Sequence, residues 1–245
     1  MGLETVRALV INTVKFSDTS LIIVALTPSD GVLHFFGRGF RKLPKKSYLG
    51  RDAVETFSEM ELTFYRTSGD LQPLRHSYSI DGFEGIRTEY SRLLLASFGA
   101  GLALDLSSGG ISGEYECLQE YWHAISTGRR TVLATLTFWL SMLHEGGFLP
   151  PTSRCSACGG ELTQPFFLPG KGFLCQACRL PGAEAMSVGD MRYVRHILGR
   201  DQGLDRLIIP QSTLHRLLGL LTDITEFEVG RRPRLLDQIR KICEN

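Results

Sequence analysis

The chain has 245 residues, of which 43% are hydrophobic and 22% charged, and its formal net charge is +1 at pH 7. This composition is ordinary for a globular protein of one to three small domains, and so small a net charge says nothing about partners. No apolar run approaches the roughly 20 residues that a membrane helix needs. The opening residues Met1–Thr5 lack the basic and apolar regions of a signal peptide. We therefore expect a cytoplasmic protein with no membrane partner.

The first 80 residues predict a small barrel. Pro28–Gly31 is a turn, which makes the runs on either side of it a hairpin. Five short antiparallel strands in such a length are typical of an OB-type barrel, although periodicity alone also allows an SH3-like barrel. The predicted strands are Val6–Val14, Ser20–Thr27, Val32–Phe36, Thr56–Tyr65 and Leu71–Ile80.

A basic loop, residues 38–51, lies between the third and fourth predicted strands. It contains no acidic residue, and its glycines and Pro44 predict a loop rather than a helix. Cations that follow the phosphates and rings that stack on the bases are what single-stranded nucleic acid requires. A solvated surface loop is the alternative interpretation. The cations are Arg38, Arg41, Lys42, Lys45, Lys46 and Arg51, and the interleaved rings are Phe40 and Tyr48.

After Asp81–Gly82 the apolar residues recur every three to four positions, which predicts helices. We expect the helices before and after residue 150 to pack together. The sequence thus predicts an α+β fold, with a barrel domain over residues 1–80 and a helical domain over residues 81–245. The predicted helices are Ile86–Leu102, Tyr115–Ile125, Thr131–His144, Ser187–Leu198, Ser212–Phe227 and a short last one from Pro233 to Cys243.

Two Cys-x-x-Cys pairs predict a zinc ribbon inserted in the helical domain at about residues 150–182. The spacing of Cys155 and Cys158 from Cys175 and Cys178 is typical of a structural zinc site with four thiolate ligands. A catalytic zinc usually keeps one position open, so we expect one structural Zn²⁺ per chain. Glycines after the first pair are expected to point amide N–H groups at the sulfurs. Two disulfides are the alternative, which the length of the chain and its expected reducing compartment disfavour.

The chain contains none of the common catalytic motifs. The sequence has no phosphate-binding Walker loop, no Gly-x-Ser-x-Gly elbow and no His-Glu-x-x-His pair. Its histidines are scattered along the sequence. We therefore expect that the protein is not an enzyme.

The order of a basic barrel, helices and an embedded four-cysteine ribbon resembles that of the RecO family of bacterial recombination mediators. The similarity is carried by Asp18–Ile23, Gly37–Lys42, Leu71–Leu74, the segment Phe138–Pro150 and Cys155–Gly159. It implies a DNA repair and recombination protein that binds single- and double-stranded DNA and anneals complementary strands. It also implies that the protein works with RecR, with RecF left open, to load RecA onto DNA coated by single-strand-binding protein at the bacterial nucleoid.

The resemblance also suggests roles for individual residues. The six cations of the basic loop would contact phosphates, Phe40 and Tyr48 would stack on bases or anchor the loop, and Arg66 and Arg75 are weaker candidates. Family members bind the acidic, apolar C-terminal tail of single-strand-binding protein in the helical domain. The candidate residues for that site here are Arg129, Arg130, Leu133 and Leu136. An RNA-binding protein with an OB barrel and a zinc ribbon, such as a ribosome-associated factor, is the alternative function.

Overall fold

The computed structural model describes residues 2–45, 50–107, 113–199 and 207–244. The chain divides into two compact units, Met1–Thr131 and Val132–Asn245. The change from strands to helices expected near residue 80 therefore falls inside the first unit, which contains the barrel and two helices. Among the described helices none has the length and hydropathy to cross a membrane.

The first unit begins with a closed five-stranded barrel in the order β1-β2-β3-β5-β4. Neighbouring strands pair antiparallel except β3 and β5, which run parallel. This order is that of an OB barrel, so the SH3-like alternative is wrong. The strands are β1 (Leu3–Lys15), β2 (Leu21–Thr27), β3 (Gly31–Gly37), β4 (Ser58–Tyr65) and β5 (Leu71–Asp81).

The barrel closes because β1 is long enough to pair with β4 along its first part and with β2 along its second. A register shift between Val10 and Asn12 bends the strand where it changes partner. Alternate side chains of the strands point inward, so Ala8, Ile23 and Phe35 are fully buried. The remaining alternate positions face outward; of these Leu9, Leu26 and Glu59 are also buried, whereas Val14 and Tyr78 are exposed.

Two helices complete the first unit, α1 (Tyr90–Leu106) and α2 (Glu114–Thr127). The helix expected from Ile86 begins only at Tyr90, because residues 84–88 form a 3-10 turn. Tyr90 is 75% exposed although the sequence pattern places it on the buried face. Trp122 of α2 is fully buried, and the rings of Phe57 and Phe83 contact it edge to face.

A buried polar network joins α2 to the barrel. The carboxylate of Glu59 on β4 is buried and accepts hydrogen bonds from Tyr115 Oη and Gln119 Nε2, each at 2.8 Å. Burial is the largest cause that raises the pKa of the Tyr115 hydroxyl, and the bond to Glu59 raises it further. Tyr115 therefore remains a donor at any physiological pH.

The second unit is helical and contains the ribbon. The indole N–H of Trp139, in the helix before the ribbon, donates to Thr225 Oγ1, in a helix after the ribbon, at 2.9 Å. That bond and the burial of both residues confirm that helices from the two sides of the ribbon pack together. The elements are α3 (Thr131–Glu145), β6 (Phe166–Leu168), β7 (Gly172–Leu174), β8 (Glu184–Ala185), α4 (Val188–Leu198), α5 (Gln211–Val229) and α6 (Leu236–Glu244).

Candidate metal centre and nucleic-acid interface

The four cysteines of the two Cys-x-x-Cys pairs meet at one point of the ribbon. Their Sγ atoms all lie within 4.8 Å of one another, and those of Cys158 and Cys175 are 3.8 Å apart. A tetrahedral ion with metal–sulfur bonds of about 2.3 Å requires sulfurs about 3.8 Å apart. The cluster could therefore hold one metal ion, and four thiolates would leave it no open position.

Backbone amides stabilise the thiolate of Cys155. Its Sγ accepts the N–H of Cys175 at 3.3 Å, and this bond is the main reason that the pKa of Cys155 falls to about 6. The sulfur of Cys178 instead lies beside those of Cys158 and Cys175, which raises its pKa to about 12. Gly159 does not donate to a sulfur as expected, because its N–H bonds to the Cys155 carbonyl at 2.8 Å.

The ribbon presents the cysteines from a small scaffold of its own. Strands β6, β7 and β8 form a three-stranded sheet in the order β7-β6-β8. Gly172 has φ 76°, and a Cβ there would lie 2.5 Å from Ser156 Oγ and 2.9 Å from Pro150 Cβ, so any other residue would be strained and would displace these neighbours. The Arg179 guanidinium lies 4.5 Å from the centre of the Phe166 ring. Such a small buried cluster is a weak core, so a metal would supply much of its stability.

The barrel presents an outward row of apolar side chains across four strands. Phe16, in the turn between β1 and β2, is 63% exposed and meets Phe36 of this row edge to face at 5.4 Å. The two rings form an accessible aromatic surface beside the basic loop. The row consists of Val14 on β1, Ile22 on β2, Phe36 on β3 and Pro73 on β5, and each residue is paired in register with the next.

Three cations of the basic loop lie at the end of the outward row. The Arg41 N–H bonds to the Thr19 carbonyl at 3.0 Å, and its Nη1 bonds to the Ser17 carbonyl at 2.8 Å, so the loop is fixed to the turn that carries Phe16. Arg38 and Lys42 are exposed, and neither side chain pairs with a carboxylate within the described ranges. The turn contains one acid, Asp18, so the three cations leave a positive local charge.

Of the two roles expected for Phe40, stacking on bases and anchoring the loop, the structure favours anchoring. Its ring is 1% exposed and belongs to the barrel core, so it cannot reach a base. The Arg51 guanidinium lies 4.2 Å from the centre of that ring and donates to the Arg38 carbonyl at 2.7 Å. Arg51 therefore fixes the loop and is a poor candidate for a phosphate contact.

Two further basic candidates are already paired with carboxylates. Arg66 donates to Glu4 at 2.6 Å and to Asp30 at 3.0 Å, and these bonds raise its pKa. These two acids offset the charge of Arg66, so the structure does not favour a contact with DNA there, and the expectation stays a prediction. Lys45 lies 3.5 Å from Glu84 and 3.9 Å from Glu55, so its charge is partly compensated too.

Of the three remaining DNA-binding candidates, Arg75 lies among the described residues and the other two do not. Arg75 is exposed on β5, and its guanidinium lies 4.8 Å from the centre of the Tyr65 ring. Lys46 and Tyr48 lie outside the described residues. They stay predictions from the sequence.

The candidate site for the tail of single-strand-binding protein is not accessible as expected. Leu136 is fully buried in the core of the second unit, so it cannot line an open groove. Arg129 is exposed and Leu133 is half-buried, while Arg130 takes a left-handed conformation with φ 50°. The structure therefore does not favour a contact of Leu136 with the tail, and the roles of Arg129, Arg130 and Leu133 stay predictions.

Sequence reasoning missed the ring pair of exposed Phe16 and half-buried Phe36. In the sequence Phe36 is only the last residue of a predicted strand, and Phe16 lies between two predicted strands. Numbering the strand pairs from the Pro28–Gly31 turn would have placed Phe36 opposite Ile22, on the face that alternates away from buried Phe35. The contact between the rings themselves depends on the turn geometry.

A closed OB barrel followed by helices and a four-cysteine ribbon defines the class of protein. The N-terminal profile of the RecO family, described as "Recombination protein O N terminal", matches residues 1–83. The C-terminal profile, "Recombination protein O C terminal", matches residues 87–237. The chain therefore belongs to the RecO family.

Curated relatives agree over nearly the whole length. The protein named "DNA repair protein RecO" in Myxococcus xanthus is 24% identical over 239 residues, which cover 96% of both chains. The protein of the same name in Anaeromyxobacter dehalogenans is 27% identical over 98% of both chains. A third from Streptomyces griseus is 27% identical over 82% of this chain and 84% of its own.

Proposed function

We propose that this protein is a DNA repair and recombination mediator that binds single-stranded DNA on the outside of its barrel. The observation that carries the proposal is the exposed Phe16 ring on half-buried Phe36, set beside the unpaired charges of Arg38 and Lys42. Single-stranded nucleic acid is bound by this combination of rings and cations, and the strand faces of OB barrels commonly provide it. Membership of a family whose relatives are named for DNA repair supports DNA as the ligand.

Strand annealing follows from the same surface. Cations that neutralise phosphates reduce the repulsion between two strands, and they release counterions without regard to sequence. Stacking on two rings holds a strand by its base faces, which leaves many hydrogen-bonding edges free for a complementary strand. No bond is made or broken in this process, so we propose a protein that acts by binding and not as an enzyme.

We propose that the four-cysteine cluster binds Zn²⁺. Four thiolates at tetrahedral spacing match the soft-ligand preference of zinc and leave no position for substrate, so the ion would be structural. When bound, the ion would hold the first Cys-x-x-Cys turn against the second. Its contribution would be to the folding of the ribbon and not to contact with DNA.

The partners are proposed from the family. We propose that the protein acts in the bacterial cytoplasm at the nucleoid, with RecR, to load RecA onto DNA coated by single-strand-binding protein. Participation of RecF is a further proposal of the same kind. Because Leu136 is buried, the tail of single-strand-binding protein would need a site other than the one predicted from sequence.

The proposal is tested by measuring the binding of fluorescent oligonucleotides over a range of salt concentrations. Reversing Arg38 and Lys42 to Glu should weaken binding and flatten the salt slope by about 0.7 for each phosphate that is no longer neutralised. Phe16→Ala should weaken binding about fivefold or more at each salt concentration and leave the slope unchanged, because stacking releases no counterions. Annealing of complementary strands should fall in both variants.

A control variant is Arg234→Glu, which reverses an exposed charge in the second unit and should bind like the wild type. Unchanged binding by both the charge-reversal variant and Phe16→Ala would contradict the assignment of the surface. A strong preference for structured RNA over single-stranded DNA would favour the RNA-binding alternative instead.

A further inference from the structure

We infer that the single-strand contact surface continues from β3 around the barrel onto β5, where Tyr65, Arg75 and Tyr78 contact additional nucleotides. The inference rests on the proposed function and extends it. It assigns a ligand to a second group of side chains beyond the basic loop, the exposed Arg75 and Tyr78 and the half-buried Tyr65.

Strand pairing makes the two regions continuous. Phe36 of β3 pairs with Pro73 of β5, and Arg75 follows two residues later on the same strand. The register shift between Thr63 and Phe64 of β4 allows both Arg75 and His76 to face outward. From Pro73 to Tyr78 the strand covers about 17 Å at about 3.3 Å per residue, so several nucleotides could lie along it.

The side chains on this part of β5 have the chemistry of a strand-binding surface. Arg75 lies 4.8 Å from the centre of the Tyr65 ring, and no carboxylate pairs with its guanidinium in the portion of the chain described. Tyr78 is 48% exposed, and exposed His76 precedes it by two positions. An arginine on a tyrosine forms a flat, cationic surface on which a base can stack while a phosphate is bound.

A glycine keeps this surface open. Gly50, at the end of the basic loop, has φ 67°, and a Cβ there would lie 2.4 Å from Tyr78 Oη and 3.4 Å from His76 Nδ1. Gly50 therefore packs directly beside these two side chains, where a larger residue would collide with Tyr78. The register of β3 and β5, with Phe36 opposite Pro73, connects the rings of β5 to the outward row.

The limits of the surface are also set by charge. On one side Arg66 is neutralised by Glu4 and Asp30, so it offers no free charge to a phosphate. Beyond Tyr78 its neighbour on β4 is Glu61, which lies opposite Arg7 of β1. An acid in the outward row ends the favourable path there.

The test is the dependence of affinity on oligonucleotide length, measured with oligothymidylates of increasing length. The affinity of the wild type should rise until the strand reaches Tyr78. Tyr78→Ala should weaken binding of long strands about fivefold or more and leave short strands unaffected. Arg75→Gln should reduce the salt slope by about 0.7 for long strands only.

Two conservative variants and one distant variant serve as controls. Tyr78→Phe keeps the ring and should bind as the wild type does, while Arg75→Lys should keep the salt slope. Lys171→Gln removes an exposed charge from the ribbon and should change neither quantity. Melting temperatures near that of the wild type would show that each variant is folded.

The outcomes separate this inference from the proposed function. Equal length dependence in the wild type, Tyr78→Ala and Arg75→Gln would overturn the path along β5, while binding that depends on Phe16 and Lys42 would leave the proposed function in place. Failure of the wild type to bind even the longest strand would overturn both. Losses in Tyr78→Ala that are equal for short and long strands would also contradict an extension of the path.

Discussion

The guanidinium of Arg51 lies 4.2 Å from the centre of the Phe40 ring and donates to the Arg38 carbonyl at 2.7 Å. These interactions tie the end of the basic loop to its beginning and to the barrel core. The six cations of the loop are therefore not equivalent. Arg51 maintains the loop, Lys45 is paired with acids, and Arg38, Arg41 and Lys42 are presented to solvent.

Arg51→Ala should lower the free energy of unfolding by about 1–2 kcal/mol, because the substitution removes both a cation–π interaction and a hydrogen bond. Lys42→Ala should change it by less than about 0.5 kcal/mol, since an exposed side chain without a partner contributes little. Urea unfolding measures both values. Equal stability of the two variants would contradict the structural role of Arg51.

Removal of the metal should destabilise the second unit. Cys155→Ser removes a ligand, and the metal content should fall well below one equivalent per chain. A loss of about 2 kcal/mol would lower the melting temperature of a unit of this size by roughly 8 °C. Elemental analysis and thermal unfolding measure the two effects.

Cys117→Ser is the matched control, because Cys117 is also buried but lies outside the cluster. It should keep the full metal content. Affinity for single-stranded DNA should be retained by folded Cys155→Ser, since the proposed contacts lie on the barrel. A protein prepared without chelator that contains no metal would contradict the assignment of the cluster.

Asp190→Asn should show a stability loss that depends on pH. Burial raises the pKa of this carboxyl, but the hydrogen bonds that it accepts from Arg216 at 2.7 and 2.9 Å and from the Ser187 backbone N–H at 3.1 Å outweigh it, so the pKa lies below its usual value. The stabilisation is therefore present above the unfolded pKa of about 3.9 and is lost as the pH falls through the lower folded value.

At pH 7 the Asn variant should be less stable by about 2–3 kcal/mol, since Arg216 is 40% exposed and would be partly rehydrated. The difference from the wild type should shrink below about pH 4. Denaturant unfolding at pH 7 and near pH 3 measures it. A difference that is the same at both pH values would show that the charge of Asp190 is not the cause.

Trp122→Ala should destabilise the first unit by about 3–5 kcal/mol, the cost of a large cavity in a packed core. Trp122 is fully buried and contacts Phe57 and Phe83, which hold left-handed conformations with φ 59° and 41°. Tyr90→Ala is the control, because Tyr90 is 75% exposed and its removal should cost less than about 0.5 kcal/mol. Similar unfolding midpoints for the two variants would contradict this.

The helices and strands were predictable from the sequence where the apolar residues recur at a regular spacing. Strands β1 to β5 and the six α-helices found in the described ranges were predicted within a few residues, because alternation and the 3.6-residue repeat are local properties. The start of α1 was missed because a 3-10 turn continued the apolar spacing of Ile86 without forming an α-helix. The strand order was not predictable, since pairing joins residues far apart in the chain.

The binding surface was predictable only in its charge. A run of cations without acids is visible in the sequence, but the acids that neutralise Arg66 come from Glu4 and Asp30, which lie far from it in the chain. Phe40 and Phe16 are residues of the same type, but Phe40 is 1% exposed and Phe16 is 63% exposed. Burial depends on the side of the barrel that a loop residue faces, which no local pattern encodes.

The sequence by itself determined the four ligands of the candidate metal centre and the family. Cys-x-x-Cys spacing is a short-range constraint, because a tight turn places two sulfurs together whatever the rest of the chain does. The tertiary structure alone decided which cations are free and which rings are exposed. Closure of the barrel brings distant acids to some arginines and places Phe16 against Phe36, and electrostatics and stacking act on distance in space.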